Sequence, residues 1–260
     1  MVTHKTLTLA LQVRTLLLQP FIFKKERIDF MINTTRLRRT VGWLGGSLSV
    51  IVLLLSIIYG YGLPDSISST YYLPTCITPF MIILGASGIL LYSYQGYDKQ
   101  DDIVCTIAAM FAFGICLFPC ATEGLICKWP ELAELTHVGT FQIVPKISGW
   151  LHNICAFGFF GLLAYNSLFL FTKSSGTMTE NKKKRNIIFR ICGIGMIVSF
   201  LAIVPVSIFK WWGGVLIIEM IALAFFAISW LTKADCYSWL FADNKKSIKR
   251  KGRKENENSI

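Results

Sequence analysis

Six long stretches of the chain consist almost entirely of apolar residues, and polar or charged segments separate them. They run approximately over residues 40–62, 75–94, 102–120, 148–171, 186–209 and 213–232. A helix needs roughly 20 residues to cross a hydrocarbon core of about 30 Å. None of the stretches alternates as barrel strands do, and an isolated span in lipid must satisfy its own backbone hydrogen bonds. The pattern therefore predicts an all-α, polytopic membrane bundle of about six transmembrane helices.

The composition argues against a soluble domain and changes the meaning of the charge. Hydrophobic residues make up 53% of the 260 residues, which is more than a water-facing surface tolerates. A formal net charge of +11 would suggest nucleic acid as the partner of a soluble protein. Here the basic residues lie in tails and loops between the apolar stretches. We therefore expect membrane lipids as partners, with anionic headgroups at the basic loops and tail, and no nucleic acid.

Lysine and arginine are distributed very unevenly between the two sides of the predicted bundle. If the N-terminus lies inside, Lys128, Lys146 and Lys210 are the only 3 of the 26 basic residues outside. Basic residues accumulate on the cytoplasmic side of membrane proteins. The distribution predicts that both termini are cytoplasmic and that the protein resides in the cell (cytoplasmic) membrane. An odd number of spans would place one basic end outside.

The chain divides into three parts. Residues 1–35 form an N-terminal tail, in which Met31 is an alternative start of translation. The apolar part of this tail is interrupted by polar residues and by Pro20, which favours an interfacial helix over a span. Residues 36–233 form the six-helix transmembrane domain, and residues 234–260 form a basic cytoplasmic tail.

Several polar residues lie inside the predicted spans or just outside them, where an unpaired polar group is costly. Glu219 lies about 9 Å along the sixth helix from its outer end, and His152 lies in the first turns of the fourth helix. A run of hydroxyl residues precedes the second span on the same side. These positions predict a polar pocket in the outer leaflet, whose candidate members are Asp65, Ser68, Ser69, Tyr72, His152 and Glu219.

Four interpretations of these residues remain open. In the first, Glu219 and His152 pair with each other, or with hydroxyls and helix ends, and so fix the helix packing. In the second, the pocket binds a lipid or small molecule, which is our leading hypothesis for function. A third interpretation is a membrane-embedded hydrolase-like enzyme with His152 as general base beside a serine hydroxyl. The fourth is a small-molecule or ion transporter with a polar path toward Asn166; no catalytic motif is evident, which favours a non-catalytic protein.

The chain offers few groups for metal or covalent chemistry. Its three histidines, His4, His137 and His152, lie in separate segments, and there is no HExxH motif. A catalytic zinc site commonly needs three ligands at suitable spacing. We therefore expect neither a metal nor a cofactor. Cys120 and Cys127 are compatible with a disulfide if the exterior is oxidising, and equally with two free thiols.

Two short patterns predict local structure rather than chemistry. Asp98, Asp101 and Asp102 directly precede the third span, where carboxylates cap free N–H groups and suit the helix dipole. Magnesium-dependent phosphate chemistry is the alternative, but no phosphate-binding loop accompanies these carboxylates. Gly42 and Gly46 form a GxxxG motif in the first span, which would allow another helix to approach closely.

Five short parts of the chain form a recognisable pattern: Ser66–Tyr72, Tyr94–Asp98, Leu117–Pro119, His152 and Ser167–Lys173. This pattern resembles that of a bacterial family of six-helix membrane proteins catalogued as a domain of unknown function, which is itself distantly similar to DRAM-like proteins. The resemblance covers roughly residues 36–233 and implies the six-helix fold without an established activity, so it implies no catalytic residues.

Overall fold

The structure is a computed structural model that describes residues 34–96, 98–123, 125–126, 128–174, 179–209 and 213–237. Within these ranges there is no β-strand, and six helices are long and apolar enough to cross a membrane. The helices are α1 (Thr34–Ile58), α2 (Pro74–Tyr92), α3 (Lys99–Leu117), α4 (Pro145–Leu170, of which the last five residues form π-helical turns), α5 (Glu180–Ile208) and α6 (Gly214–Lys233). The predicted all-α bundle of six spans is confirmed.

The helix boundaries differ from the predicted ones mainly at the beginnings of α1 and α5. Each of these helices begins six residues before the apolar stretch that predicted it, at Thr34 and Glu180. Hydrophobicity marks the part of a helix that fits the hydrocarbon, whereas backbone hydrogen bonding continues into the polar headgroup region. The extra turns therefore carry basic residues such as Arg38 and Lys182.

Glycine and proline account for several of the helix ends. Gly60 and Gly62 follow α1 with φ angles of +79° and +72°, a left-handed conformation that glycine adopts without strain. The Ser56 hydroxyl donates to the Gly62 carbonyl at 2.7 Å and closes this turn. Pro74 and Pro145 begin α2 and α4, where the missing N–H group has no intrahelical partner to lose.

The bundle has two ends, and side-chain contacts between helices mark the first of them. Arg38 Nε on α1 donates to the Tyr94 hydroxyl just after α2, at 3.2 Å. Lys173, just after α4, lies 2.9 Å from the carboxylate of Asp98, just before α3. We call this the basic end, which carries Arg38, Lys173, Lys182, Arg185 and Lys233. The opposite end is called the Ser68 end, after a short 3-10 helix, Ser68–Tyr72, that precedes α2.

The carboxylates at the beginning of α3 bind side chains and backbone outside that helix, which corrects one expectation. Asp98 occupies the N-cap position of α3, but its side chain makes no capping hydrogen bond. It pairs with Lys173, which also lies 3.4 Å from Asp101. Asp102 accepts a hydrogen bond from the Gly96 N–H at 2.7 Å. The capping interpretation of the Asp98 side chain is wrong because a distant lysine competes for it, and the hydrogen bond from Lys173 to Asp98 raises the pKa of that lysine.

Small residues allow close helix contacts in the core, while large apolar residues face outward. Ala108, Ala109 and Ala112 of α3 are completely buried. The outward faces expose large apolar side chains, as a surface in contact with hydrocarbon requires. Examples are Ile82, Met110, Ile154, Ile191, Val198 and Leu201.

The predicted close approach at the GxxxG motif is present, and the partner is α6. A Cβ atom added to Gly42 would lie 2.8 Å from Leu231 Cγ, and one added to Gly46 would lie 3.0 Å from Ala227 Cβ. These distances leave no room for a side chain without a shift of the neighbour. Helices α1 and α6 therefore pack together through glycine.

Candidate functional site

Three polar side chains meet at the Ser68 end, and Ser68 is the central one. Nε2 of His152 lies 3.0 Å from Ser68 Oγ, and Oε1 of Glu219 lies 3.4 Å from the same oxygen. The other carboxylate oxygen of Glu219 accepts a hydrogen bond from the Ile67 N–H. His152 is buried, whereas Ser68 and Glu219 are half-buried. One hydroxyl thus connects α4, α6 and the segment that precedes α2.

The free carbonyls at the end of α3 hold His152 in place. The last carbonyls of a helix lack intrahelical partners, and Pro119 cannot continue the N–H series. The carbonyls of residues 118, 119 and 120 accept hydrogen bonds from His152 Nδ1 at 2.8 Å, Ser148 Oγ at 2.7 Å and the Tyr72 hydroxyl. Ser148 and His152 are four residues apart and lie on one face of α4. The orientation of the imidazole is therefore determined by helix packing.

The donors and acceptors in this cluster restrict where its protons lie. A carbonyl only accepts, so Nδ1 of His152 carries a hydrogen. The Ser68 hydroxyl has one hydrogen and can donate to His152 or to Glu219, but not to both. Both contacts are hydrogen bonds at once only if Nε2 of His152 or the Glu219 carboxyl carries a further proton. The cluster can therefore pass a proton between His152 and Glu219 through Ser68 with no change in net charge.

The cluster borders a cavity of about 180 Å³ inside the bundle. Ser66, Asn153 and Cys120 add to its polar lining. The remainder of the lining is apolar and comes from every helix. It includes Leu48, Phe80, Ile115, Phe160, Phe200 and Leu223. The cavity combines one hydrogen-bonding region with a larger apolar wall, which is typical of binding sites for small molecules.

The cavity reaches the outer surface of the bundle on α4, beside an aromatic contact between α4 and α5. Asn153 and Phe157 of α4 both line it and are exposed, Phe157 to 45%. On the α5 side, the ring of Phe200 lies 4.4 Å from that of Phe157 and 5.1 Å from that of Phe160, measured between centroids. Because the outer surface of a membrane bundle faces lipid, the opening leads toward the hydrocarbon.

The structure joins Ser68, His152 and Glu219, three of the six residues that the sequence nominated. His152 and Glu219 do not contact each other directly in this arrangement. Each is bonded to the hydroxyl between them, and each also holds a backbone group. The interpretation as packing support and the interpretation as a binding site therefore apply to the same contacts.

The other three nominated residues lie outside this cluster. The hydroxyl of Ser69 is fully buried and donates to the Ser66 carbonyl at 2.7 Å, so it shapes the turn before α2. Tyr72 donates to the Cys120 carbonyl, and burial raises the pKa of its hydroxyl. Asp65 is not among the residues that line the cavity. Ser69 and Tyr72 therefore support the loop, and none of the three residues borders the cavity.

Sequence reasoning missed the backbone groups and the aromatic wall of the site. The Ile67 N–H and the Phe118 carbonyl anchor the two ionisable side chains, yet any residue type offers such groups. Pro119 was a usable signal, because it predicts a helix end with free carbonyls. Phe157 and Phe200 had no distinguishing signal, since cavity-facing and lipid-facing residues are equally apolar in a membrane helix.

The described part of the chain offers no group of three or more His, Cys, Asp or Glu residues arranged to hold a metal ion. Burial raises the pKa of the Cys120 thiol to about 12. This thiol stays protonated, and a protonated thiol is a poor nucleophile and a poor metal ligand. Cys127 lies outside the described residues, so the two alternatives for Cys120 and Cys127, a disulfide or two free thiols, both still stand.

Six apolar helices with a lipid-facing surface define a multi-pass α-helical membrane protein. Comparison of the chain with protein-family models, with curated proteins and with solved structures finds no match. A fold of this kind does not imply a function by itself. The function therefore has to be inferred from the site.

Proposed function

We propose that the protein binds a lipid or another small amphipathic molecule in the cavity beside Ser68. The observation that carries this proposal is an apolar cavity that opens toward lipid and has a single hydrogen-bonded cluster of Ser68, His152 and Glu219 among its described lining residues. A ligand that enters from the bilayer would pass Asn153 and Phe157. Its polar group would then meet the cluster.

The volume limits how much of the ligand is enclosed. A dry engineered cavity of about 150 Å³ holds a benzene molecule, so a cavity of about 180 Å³ encloses a small polar head with a few carbon atoms. The chain of a longer amphiphile would lie in the opening on α4, beside its aromatic contact with α5. Asn153 is exposed at this opening and offers the bound molecule a further hydrogen-bonding group.

The cluster favours a neutral or cationic head over an anionic one. The carboxyl group of Glu219 and the ring of His152 both accept hydrogen bonds in at least one of their proton arrangements. A negative head beside the Glu219 carboxylate would be repelled in a region of low dielectric constant. The ligand that fits best is an amphiphile with a hydroxyl or amine head.

The charge of the bundle supports a cytoplasmic position for the basic end and an outer-leaflet position for the cavity. Described basic residues at the Ser68 end are Lys128 and Lys146, whereas the basic end carries a dense group of lysine and arginine. Positive residues accumulate on the cytoplasmic side in the cell membrane. The ligand would therefore reach the cavity from the outer half of that membrane.

Photolabelling with a photoreactive hexadecanol tests the proposal on the full-length protein in phosphatidylcholine nanodiscs. The larger side chain in Ala156→Leu would fill part of the cavity. A loss of about 1.4 kcal/mol in binding free energy through this overpacking lowers the affinity for the probe about tenfold. Gly161→Ala is the matched control, because it enlarges a residue of the same helix where an added Cβ meets open space. In the wild-type protein, we expect the probe to label residues of α4 and α5. The control Gly161→Ala should be labelled to the same extent. Equal labelling of both variants would contradict a site in this cavity.

Glu219→Gln tests the chemistry of the head, because it keeps the shape of the side chain and removes its charge. The wild-type protein should prefer the photoreactive hexadecanol over a photoreactive palmitate. Loss of the carboxylate removes the repulsion of an anionic head. The ratio of palmitate to hexadecanol labelling should rise in Glu219→Gln, and an unchanged ratio would argue against a head group beside Glu219.

A serine hydrolase is the second candidate, and the 3.0 Å contact between Ser68 Oγ and His152 Nε2 favours it. The Phe118 carbonyl orients the histidine as the third member of a catalytic triad would. However, Glu219 occupies the Ile67 N–H, which would otherwise face a developing oxyanion. A fluorophosphonate probe that labels Ser68 in the wild type but not in His152→Gln would favour the enzyme over the binding protein.

The described structure provides no specific support for the transporter interpretation. A polar path from Glu219 toward the basic end would have to include Asn166. That side chain is completely buried and donates to Cys105 Sγ at 3.1 Å. Asn166 is not part of the cavity lining, which includes the apolar side chain of Leu223. The lining residues therefore do not form a polar path from Glu219 to Asn166.

A further inference from the structure

A second pocket lies at the basic end, on the side of the bundle opposite to the Ser68 cluster. Its volume is about 730 Å³, within the usual range of about 300 to 1,000 Å³ for small-molecule sites. Residues from the beginnings of α1 and α5, the end of α6 and the segments beside α3 and α4 form its walls. The lining residues are Thr35, Arg38, Asp98, Lys173, Ser174, Lys182, Arg185, Phe189, Lys233 and Asp235.

Positive charge exceeds negative charge in this pocket. Five cationic side chains and two carboxylates line it among the described residues. Both carboxylates are engaged with cations, because Asp98 pairs with Lys173 and Asp235 pairs with Arg185. Asp101 adds one more carboxylate nearby, at 3.4 Å from Lys173. The cations still outnumber the carboxylates when this residue is included.

Aromatic rings and backbone groups hold the other three cations at the pocket wall. Lys233 Nζ lies 4.9 Å from the ring centre of Phe171, and Lys182 Nζ donates to the Phe171 carbonyl at 2.8 Å. The guanidinium of Arg38 lies 5.4 Å from the ring centre of Tyr94. All three side chains are half-buried. Because they are positioned before a ligand arrives, less side-chain entropy is lost on binding.

These cations act on one another. Arg38, Lys182 and Arg185 lie near the ammonium group of Lys233, and the attraction of Asp101 offsets part of their repulsion. Mutual repulsion of half-buried cations costs free energy that a bound anion would recover. The pocket lies at the helix ends, where phospholipid headgroups are found. Basic pockets between transmembrane helices bind phosphorylated headgroups in this way.

We infer that the pocket at the basic end binds a phosphate group, with Arg38, Lys182 and Lys233 as its main ligands. An arginine guanidinium donates two parallel hydrogen bonds to phosphate oxygens, and lysine ammonium groups supply compact positive charge. The phosphate belongs either to an anionic phospholipid or to a soluble phosphorylated molecule. This site is independent of the cavity beside Ser68.

The experiment uses the full-length protein and two probes that separate these sources. Native mass spectrometry counts phosphatidylglycerol retained from nanodiscs of phosphatidylcholine with phosphatidylglycerol, and calorimetry measures binding of glycerol 3-phosphate in phosphatidylcholine nanodiscs. The variants are Lys182→Gln and Lys233→Gln. The control is Lys184→Gln, which removes the same charge from an exposed position on the first turns of α5. Lys182→Arg keeps the charge at the pocket wall.

We expect Lys182→Gln and Lys233→Gln each to weaken binding of the probe that the wild type binds, by about fivefold. This factor is in line with the contribution of one basic residue to anion binding at a membrane. Lys184→Gln and Lys182→Arg should bind close to wild type. Retention of phosphatidylglycerol alone identifies a lipid, and binding of glycerol 3-phosphate alone identifies a soluble ligand. If Lys233→Gln does not fold, the comparison of Lys182→Gln with Lys184→Gln decides. Equal loss in those two variants, or binding of neither probe by the wild type, would overturn the inference.

Discussion

At the scale of single residues, hydrogen bonds to the backbone decide which polar side chains border the cavity. Tyr72 and His152 both donate to carbonyls after α3, yet only His152 has a second polar atom that faces the cavity. Glu219 likewise holds a backbone N–H with one oxygen and contacts Ser68 with the other. A residue with two polar atoms can thus fix the structure and remain available to a ligand.

Tyr72→Phe should destabilise the protein without affecting hexadecanol labelling. The change leaves the Cys120 carbonyl without its donor, which costs about 1 to 3 kcal/mol. The pKa of Tyr72 is higher in the folded protein than in the unfolded chain because of burial. Its stabilising contribution should therefore be fully present below about pH 10 and should be lost as the pH rises above that value.

Equilibrium unfolding in mixed detergent micelles measures this effect. Tyr92→Phe is the matched control, because Tyr92 lies at the end of α2 and is 65% exposed. It should change the free energy of unfolding by less than about 0.5 kcal/mol. Equal stability of the two variants, or a loss of labelling in Tyr72→Phe, would show that Tyr72 has a different role.

At the scale of helices, close packing depends on positions where a side chain is missing. Gly45 of α1 faces the ring of Phe226, whose side chain is almost completely buried and lies against Trp230. Packing of this kind is the main attraction between helices in lipid, because apolar surface gains little by leaving one hydrocarbon environment for another. Glycine in α1 therefore supports the contact with α6 that keeps Glu219 near Ser68.

Gly45→Ala should weaken the contact between α1 and α6. The added Cβ would overlap the Phe226 ring, and this buried ring cannot move away freely. We expect a loss of about 1 to 3 kcal/mol in the free energy of unfolding, measured in mixed micelles. The control is Gly85→Ala on α2, where the added Cβ meets open space. It should be neutral or slightly stabilising. If Gly45→Ala were as stable as this control, the α1–α6 contact would be loosely packed, contrary to the prediction.

At the scale of the whole molecule, the two ends of the bundle differ in chemistry. The basic end combines ion pairs with a cationic pocket, and the Ser68 end combines buried hydrogen bonds with an apolar cavity. A bilayer makes such a division useful, because the cytoplasmic leaflet carries most of the anionic lipid. The proposed ligands accordingly differ in charge between the two ends.

Cysteine labelling tests the orientation of the bundle in intact cells. A membrane-impermeant maleimide should label Lys128→Cys from outside, whereas Lys183→Cys should react only after permeabilisation. Both positions are exposed. The background carries Cys127→Ser and Cys236→Ser, and the high pKa of the half-buried Cys120 thiol keeps its reaction slow. Labelling of Lys183→Cys in intact cells would reverse the proposed topology.

The number and type of helices could be predicted from the chain because a bilayer imposes a length of apolar residues that is visible without any tertiary contact. Local chemistry also indicated the close helix approach at the glycine pair 42 and 46. The fate of Asp98 could not be predicted, since Lys173 reaches it from a loop 75 residues away. The preference of carboxylates for helix N-termini predicted the position of Asp98 correctly. Its side chain, however, does not cap the helix.

The candidate site likewise has a part that the sequence predicted and a part that depends on tertiary contacts. Glu219 and His152 could be nominated from the chain, because polar residues inside apolar spans are rare and costly. Their meeting at Ser68 depends on contacts across 84 and 151 residues and on a free carbonyl after α3. Periodicity and composition describe each helix in its solvent, whereas the rotation and spacing of the helices arise from packing among all six. Those packing contacts decided that Ser68, and not Asp65 or Tyr72, joins the two ionisable side chains.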